Sequence, residues 1–231
     1  MERKVNLHTI SDGRLYQSDD LVRLDAGGCV GCSACCRVTG DTIVLDPYDL
    51  YQLEALLSAD FDRLLATCLE LRLVDGLILP NLKMISDDDG VHCAFLSPEG
   101  RCQIHTARPG FCRLFPLARL YDGTGFSYVL QTEECPRPGK SKVRITKWLG
   151  VPDYPRYEAF LNQWHYFLKP YQDYILSGNA DPLWQKRVSM ELLQSFFAKP
   201  YRTDMDFYKQ FALRLSIASR KLPIPTPKES I

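Results

Sequence analysis

No run of 18 or more apolar residues occurs anywhere in this chain, so no segment reads as a membrane-crossing helix. The first twenty residues, MERKVNLHTISDGRLYQSDD, carry charges but no apolar core, which excludes a signal-peptide reading. Net charge is absent as well: 28 Lys and Arg balance 28 Asp and Glu. Without a basic footprint, neither nucleic acid nor an anionic membrane is an expected partner. There is no P-loop, no dinucleotide fingerprint and no GxSxG nucleophile elbow. These absences leave a cytoplasmic globular protein as the expectation, in a compartment where thiols stay reduced and disulfides are rare.

Thiols are what the chain does have. At 231 residues it should bury roughly 70–75% of its unfolded surface, so it needs no cross-links to hold a core. Nine cysteines are nevertheless present, four of them within GGCVGCSACC at 27–36. The spacing runs Cys29-x2-Cys32-x2-Cys35-Cys36, then Cys93-x8-Cys102-x9-Cys112-x22-Cys135. Cys68 stands apart on an apolar stripe and reads as a small buried hydrophobe. The other eight are twice the ligand count of an all-cysteine zinc site or an iron–sulfur cluster. Clustered thiols in a reducing compartment favour metal over disulfides.

Two features bear on which metal. The C-x2-C-x2-C triple has the spacing with which bacterial ferredoxin loops wrap a [4Fe-4S] cluster, whose further cysteine precedes a proline, as Cys135 precedes Pro136 here. Zinc knuckles more often show isolated C-x2–4-C pairs, so the triple leans towards iron–sulfur, with zinc as the alternative. Cys36 directly follows Cys35, however, and adjacent side chains on extended backbone point apart. One of that pair is then free to serve a second centre, and spacing alone leaves the partition open.

Local patterning predicts an α+β fold: a cysteine-rich, metal-stabilised core with a small antiparallel sheet and flanking helices, then a helical C-terminal segment. Short strands are expected at Gly13–Tyr16 and Thr42–Leu45. Asp46-Pro47 announces a helix that places Leu50, Leu53 and Leu57 on one face, and Phe61–Leu73 reads as a second. From Gly76 to Gln131 the chain changes to apolar runs at Leu77–Leu79, Met84–Ser86, Val91–Phe95, Cys102–His105, Leu117–Tyr121 and Phe126–Gln131. Asp-Gly and Glu-Gly turns separate them, and a helical turn is expected near Arg108–Leu114. Tyr157, Phe160, Leu161, Trp164 and Leu168 keep helical spacing, with Pro170 expected to kink or end that helix. Asp181-Pro182 opens another helix with Val188, Leu192, Leu193 and Phe196 on its face, and Phe207, Phe211 and Leu215 mark a last one. The tail LPIPTPKES reads as extended. The organisation expected is a metal-binding domain over 1–150 and a helical segment over 151–231.

GCVGCSACC, followed by Cys93-Ala94-Phe95-Leu96, Cys102-Gln103-Ile104-His105, Arg108-Pro109, Cys112-Arg113-Leu114-Phe115-Pro116 and the isolated Cys135, resembles the bacterial CxxCxxCC, or YkgJ-type, zinc- or iron-chelating cysteine-cluster proteins. The resemblance covers about residues 27–136. It implies that Cys29, Cys32, Cys35, Cys36, Cys93, Cys102, Cys112 and Cys135 are metal ligands. It reaches distantly to the cysteine core of the flagellin lysine N-methylase, although no glycine-rich S-adenosylmethionine loop is visible here and the C-x3-C-x2-C triple of radical-SAM enzymes is absent. One partition gives Cys29, Cys32, Cys35 and Cys135 to one centre and Cys36, Cys93, Cys102 and Cys112 to another.

Four thiolates around a divalent zinc leave two negative charges, which nearby guanidinium groups would offset. Arg108 and Arg113, inside the cysteine framework, are assigned that supporting role, with Arg37 and Arg101 nearby. His92 and His105 neighbour cysteines but read as hydrogen-bonding or packing residues, and the acidic run at 87–89 reads as a solvated turn. Function is therefore expected to be metal binding with at least one structural centre. Two other classes stay open: an iron–sulfur-dependent methyltransferase-like or redox enzyme, and a zinc-stabilised adaptor that holds a protein partner through its C-terminal helices.

Overall fold

The computed structural model describes residues 7–27, 32–38, 43–88 and 90–224. Cys29, Thr42 and the tail from residue 225 onward lie outside the described residues. In chain order the elements are α1 (Leu7–Ile10), β1 (Leu21–Asp25), α2 (Ala34–Val38), α3 (Pro47–Leu57), α4 (Phe61–Thr67), β2 (Leu69–Val74), β3 (Leu77–Leu82), β4 (Met84–Asp87) and β5 (Gly90–Cys93). Then follow α5 (Gly110–Leu114), β6 (Leu117–Tyr121), β7 (Phe126–Leu130), β8 (Ser141–Arg144), α6 (Ile145–Leu149), α7 (Tyr154–Leu176), α8 (Pro182–Leu193) and α9 (Phe207–Lys221). This is an α+β fold. Its strands pair, among the described residues, as four two-stranded ladders: β1–β8, β2–β3, β4–β5 and β6–β7.

The described residues fall into two compact units that interleave along the chain. Residues 45–81 belong with 159–224, and residues 7–44 belong with 82–158. In the first unit, α3 starts where its sequence dictates. Asp46 accepts from the Asp49 amide and the Asp49 carboxylate accepts from the Asp46 amide, closing a capping box ahead of Pro47. Leu50 and Leu53 are fully buried, whereas Leu57 is exposed because it sits in the last turn, beside the left-handed Ser58 cap. The core of this unit is aromatic. Phe160 and Trp164 of α7 meet Phe211 of α9 and Phe196 edge-on, at 4.7 Å and 4.9 Å between centroids.

Two expectations fail in this unit. The helix over Phe61–Leu73 ends at Thr67, and Leu69–Val74 is a strand instead. The positive-φ pair Asp75 and Gly76 supplies a two-residue hairpin turn that pulls the preceding residues into pairing with β3. Pro170 neither ends nor bounds α7, which runs on to Leu176. Leu168 and Tyr171 are buried on either side of it, and the Tyr171 hydroxyl donates to the Leu222 carbonyl at 2.9 Å, so packing outweighs the one lost amide.

In the second unit β1 and β8 pair antiparallel with Val22 opposite Val143, and α6 lies against both strands and against α5. β6 and β7 pair from Leu117↔Leu130 to Tyr121↔Phe126, with Tyr128 buried and its hydroxyl hydrogen-bonded to that of Tyr154. The strand expected at Gly13–Tyr16 reduces to a single bridge between Tyr16 and Tyr128. The run Cys102–His105 is not a strand either. It makes one bridge, Leu96↔Cys102, and then turns into a 3-10 helix at His105–Ala107.

Candidate metal centre

All seven framework cysteines among the described residues lie in the second unit, and Cys68 alone lies in the first. Cys68 caps α4, is 8% exposed and directs its thiol at the Leu64 carbonyl at 3.6 Å, as a small buried hydrophobe would.

The local folds explain how cysteines distant in sequence approach one another. β4 and β5 pair with Met84 opposite Cys93, which buries Cys93 at the end of its strand. The chain then folds back. The Leu96 amide donates to the Cys93 carbonyl at 2.9 Å, the Ser97 amide to Arg101 at 2.8 Å and the Gln103 amide to Phe95 at 2.9 Å. That tight loop turns C-x8-C spacing into spatial proximity, because Cys102 bridges back to Leu96. α2 packs against β5 and brings Cys35 and Cys36 to the same place.

Here the expectation for Cys35 and Cys36 is corrected. They do not lie on extended backbone with side chains pointing apart; both lie on the helical turn α2, and their thiols are hydrogen-bonded to each other. That bond from Cys36 is the main reason the Cys35 thiol is held down to about 6, with the charge of Arg108 helping against the opposing effect of burial. Cys36 is pushed up in turn, because it supplies the hydrogen, is desolvated, and feels Cys35, Cys102 and Cys93 as further thiols. Burial also raises Cys102, and Arg108 opposes the rise. Four thiols and one guanidinium thus share one electrostatic neighbourhood.

Arg113 is held by backbone. Its guanidinium donates to the carbonyls of Leu149 at 3.3 Å and Thr106 at 2.5 Å, tying α5 to the end of α6. Arg108 donates to Nε2 of His105 at 3.1 Å, and burial together with the charges of Arg108 and Arg113 lowers the pKa of that imidazole. His92 donates from Nδ1 to the Cys93 carbonyl at 3.1 Å and from Nε2 to Asp87 at 2.9 Å. The Cys93 carbonyl and the Asp87 carboxylate both favour the imidazolium, so its pKa is raised, and both ring nitrogens are already engaged. Cys32 is half-buried just before α2, Cys112 is half-buried on α5, and Cys135 lies in the loop after β7, where its carbonyl accepts from Lys140 at 2.8 Å. The helical Cys35–Cys36 pairing was missed from sequence because a five-residue helix between glycines carries no periodic signal.

Among the described residues no three His, Cys, Asp or Glu side chains stand in the grouping of a finished metal site. The donor set fits a thiophilic metal in its chemistry: thiolates select zinc and iron–sulfur clusters, and a thiol already held near 6 loses its proton to a metal at little cost. No curated protein and no solved structure matches the chain. Residues 28–136, which contain all eight framework cysteines, match the family model CxxCxxCC, described as "putative zinc- or iron-chelating domain", so this segment is similar to that family.

Proposed function

We propose that this protein holds an iron–sulfur cluster, [4Fe-4S] in type, or zinc through Cys29, Cys32, Cys35, Cys36, Cys93, Cys102, Cys112 and Cys135, and that at least one centre is structural. The observation that carries the reading is the shared neighbourhood of Cys35, Cys36, Cys93 and Cys102, gathered from three separate stretches of chain around Arg108. Deprotonated together, such a cluster is costly to bury unless something neutralises it, and Arg108 supplies only one positive charge. A metal supplies the rest. The partition we propose gives Cys36, Cys93, Cys102 and Cys112 to one centre and Cys29, Cys32, Cys35 and Cys135 to the other, with the paired Cys35 and Cys36 at the junction of the two.

The test is anaerobic purification followed by a visible spectrum and elemental analysis for iron, sulfide and zinc. A brown protein with iron and sulfide selects the cluster, and a colourless one with zinc selects the structural zinc site. Cys29→Ser and Cys112→Ser should each lower metal content and soluble yield together, because metal-binding energy is folding energy here. Full metal occupancy and unchanged stability in both variants would remove the reading.

A further inference from the structure

On the β1–β8 side of the second unit, a solvent-facing cleft of about 520 Å³ is lined by Arg23, Leu130, Thr132, Arg137, Gly139 and Lys140. Its size falls among small-molecule sites. Among the described residues three of its lining side chains are cations and none is acidic, in a chain whose charges cancel overall. The nearest acidic residues in sequence, Asp25, Glu133 and Glu134, do not line it, and Asp25 accepts from the Gly27 amide at 2.9 Å.

Lys140 donates to the Cys135 carbonyl at 2.8 Å, which leaves two of its three ammonium hydrogens for another acceptor. Arg137 reaches the Ala26 carbonyl at 3.4 Å. Arg23 makes no hydrogen bond or ion pair among the described residues, and it stands directly across the ladder from Lys142, on the same face. Like charges directly opposite each other on a two-stranded ribbon destabilise it, so the arrangement costs the fold something it could have avoided. A dianion bound over Arg23 would reverse the sign of that interaction.

We propose that this cleft binds a small phosphorylated molecule, its phosphate received by Arg23, Arg137 and Lys140, with the Thr132 hydroxyl donating a further bond and Leu130 packing against the apolar part. Three cations match a phosphate of nearly two negative charges better than a single carboxylate, and guanidinium groups suit its oxygens. No described lining residue is a framework cysteine, so the proposal does not depend on which metal the thiols hold.

Calorimetric titration of the full-length protein with inorganic phosphate, pyrophosphate, glycerol 3-phosphate and citrate tests it. Phosphate-bearing ligands should bind at one per chain, more weakly as salt rises, and more tightly than citrate. Arg23→Gln and Lys140→Gln should each weaken binding by about tenfold, the loss expected for a hydrogen bond to a charged group. Arg23→Gln should do so with a melting temperature equal to or above that of the parent, which a merely structural arginine would not show. Tighter binding of glycerol 3-phosphate than of phosphate identifies an organic phosphate ester as the ligand, and the reverse identifies the free anion. Absence of binding up to about 10 mM phosphate, citrate binding at least as tightly, or affinity unchanged in both variants overturns the proposal.

Discussion

Two single side chains show how burial redistributes protons and roles. Cys68 and Cys93 are equally buried, at 8% exposure each, yet only Cys93 stands among other thiols. Cys68→Ala should therefore leave metal content unchanged and cost roughly 1 kcal/mol of stability, the scale of a small lost thiol in a core; elemental analysis alongside urea unfolding checks both parts. Glu54 is a different case. One carboxylate oxygen is buried without a hydrogen-bond partner, and desolvation pushes the group up to about 7 from 4.5, with Asp60 adding to the push and Arg214 opposing it. The folded pKa lies above the unfolded one, so the folded state holds the extra proton. Stability from this group is full below pH 4.5 and is lost as pH rises through 7. Glu54→Gln should then stabilise the protein at pH 8 by about 1 kcal/mol, a figure discounted for partial exposure, and do little at pH 4. Equal effects at the two pH values in urea unfolding would contradict the assignment.

At the scale of elements, turns and caps decide more than stripes do. The hairpin β2–β3 hangs on Gly76, whose φ is +84° and whose missing Cβ would come within 2.4 Å of Ile175 on α7. Gly76→Ala should cost about 2 kcal/mol or more, from left-handed strain plus a clash in a packed place. Gly13→Ala, at a similar φ of +75° but with open space around it, should cost only about 1 kcal/mol. Thermal unfolding of the pair separates strain from crowding. The π-helical turn Gln194–Ala198 after α8 is held by Arg214 of α9, which donates to the carbonyls of Ser195, Lys199 and Pro200 and lies 3.5 Å above the Tyr201 ring. Arg214→Met should lose about 2 kcal/mol by leaving part-buried carbonyls unmet, and Arg214→Lys should recover little of it, since an ammonium cannot fork to three acceptors and stack on a ring. Chemical denaturation of both variants checks the order.

For the whole molecule, the separation of chemistry matters most. Every described framework cysteine belongs to the unit built from 7–44 and 82–158, while the aromatic core of α3, α8 and α9 belongs to the other. If the thiols hold a structural metal, a chelator should raise amide hydrogen exchange around α2, β5 and the loop carrying Cys135, and leave α8 and α9 protected. Uniform loss of protection across both units would mean that metal supports the entire fold as one cooperative body.

The sequence by itself determined the cysteine framework, because ligand spacing is a local property: C-x2-C-x2-C-C and the later four can be counted without a fold. It also determined the capped helices, since Asp46-Pro47 and Asp181-Pro182 satisfy amides within their own first turns. Only the tertiary structure decided the rest. Leu69–Val74 became strand because the Asp75-Gly76 turn offered a pairing partner, and Pro170 stayed inside α7 because the residues around it had a core to enter. It also decided that Cys35 and Cys36 face each other beside Cys93, and that Arg23, Arg137 and Lys140 converge on one cleft. Those groupings depend on which surfaces meet, and no periodicity along the chain encodes them.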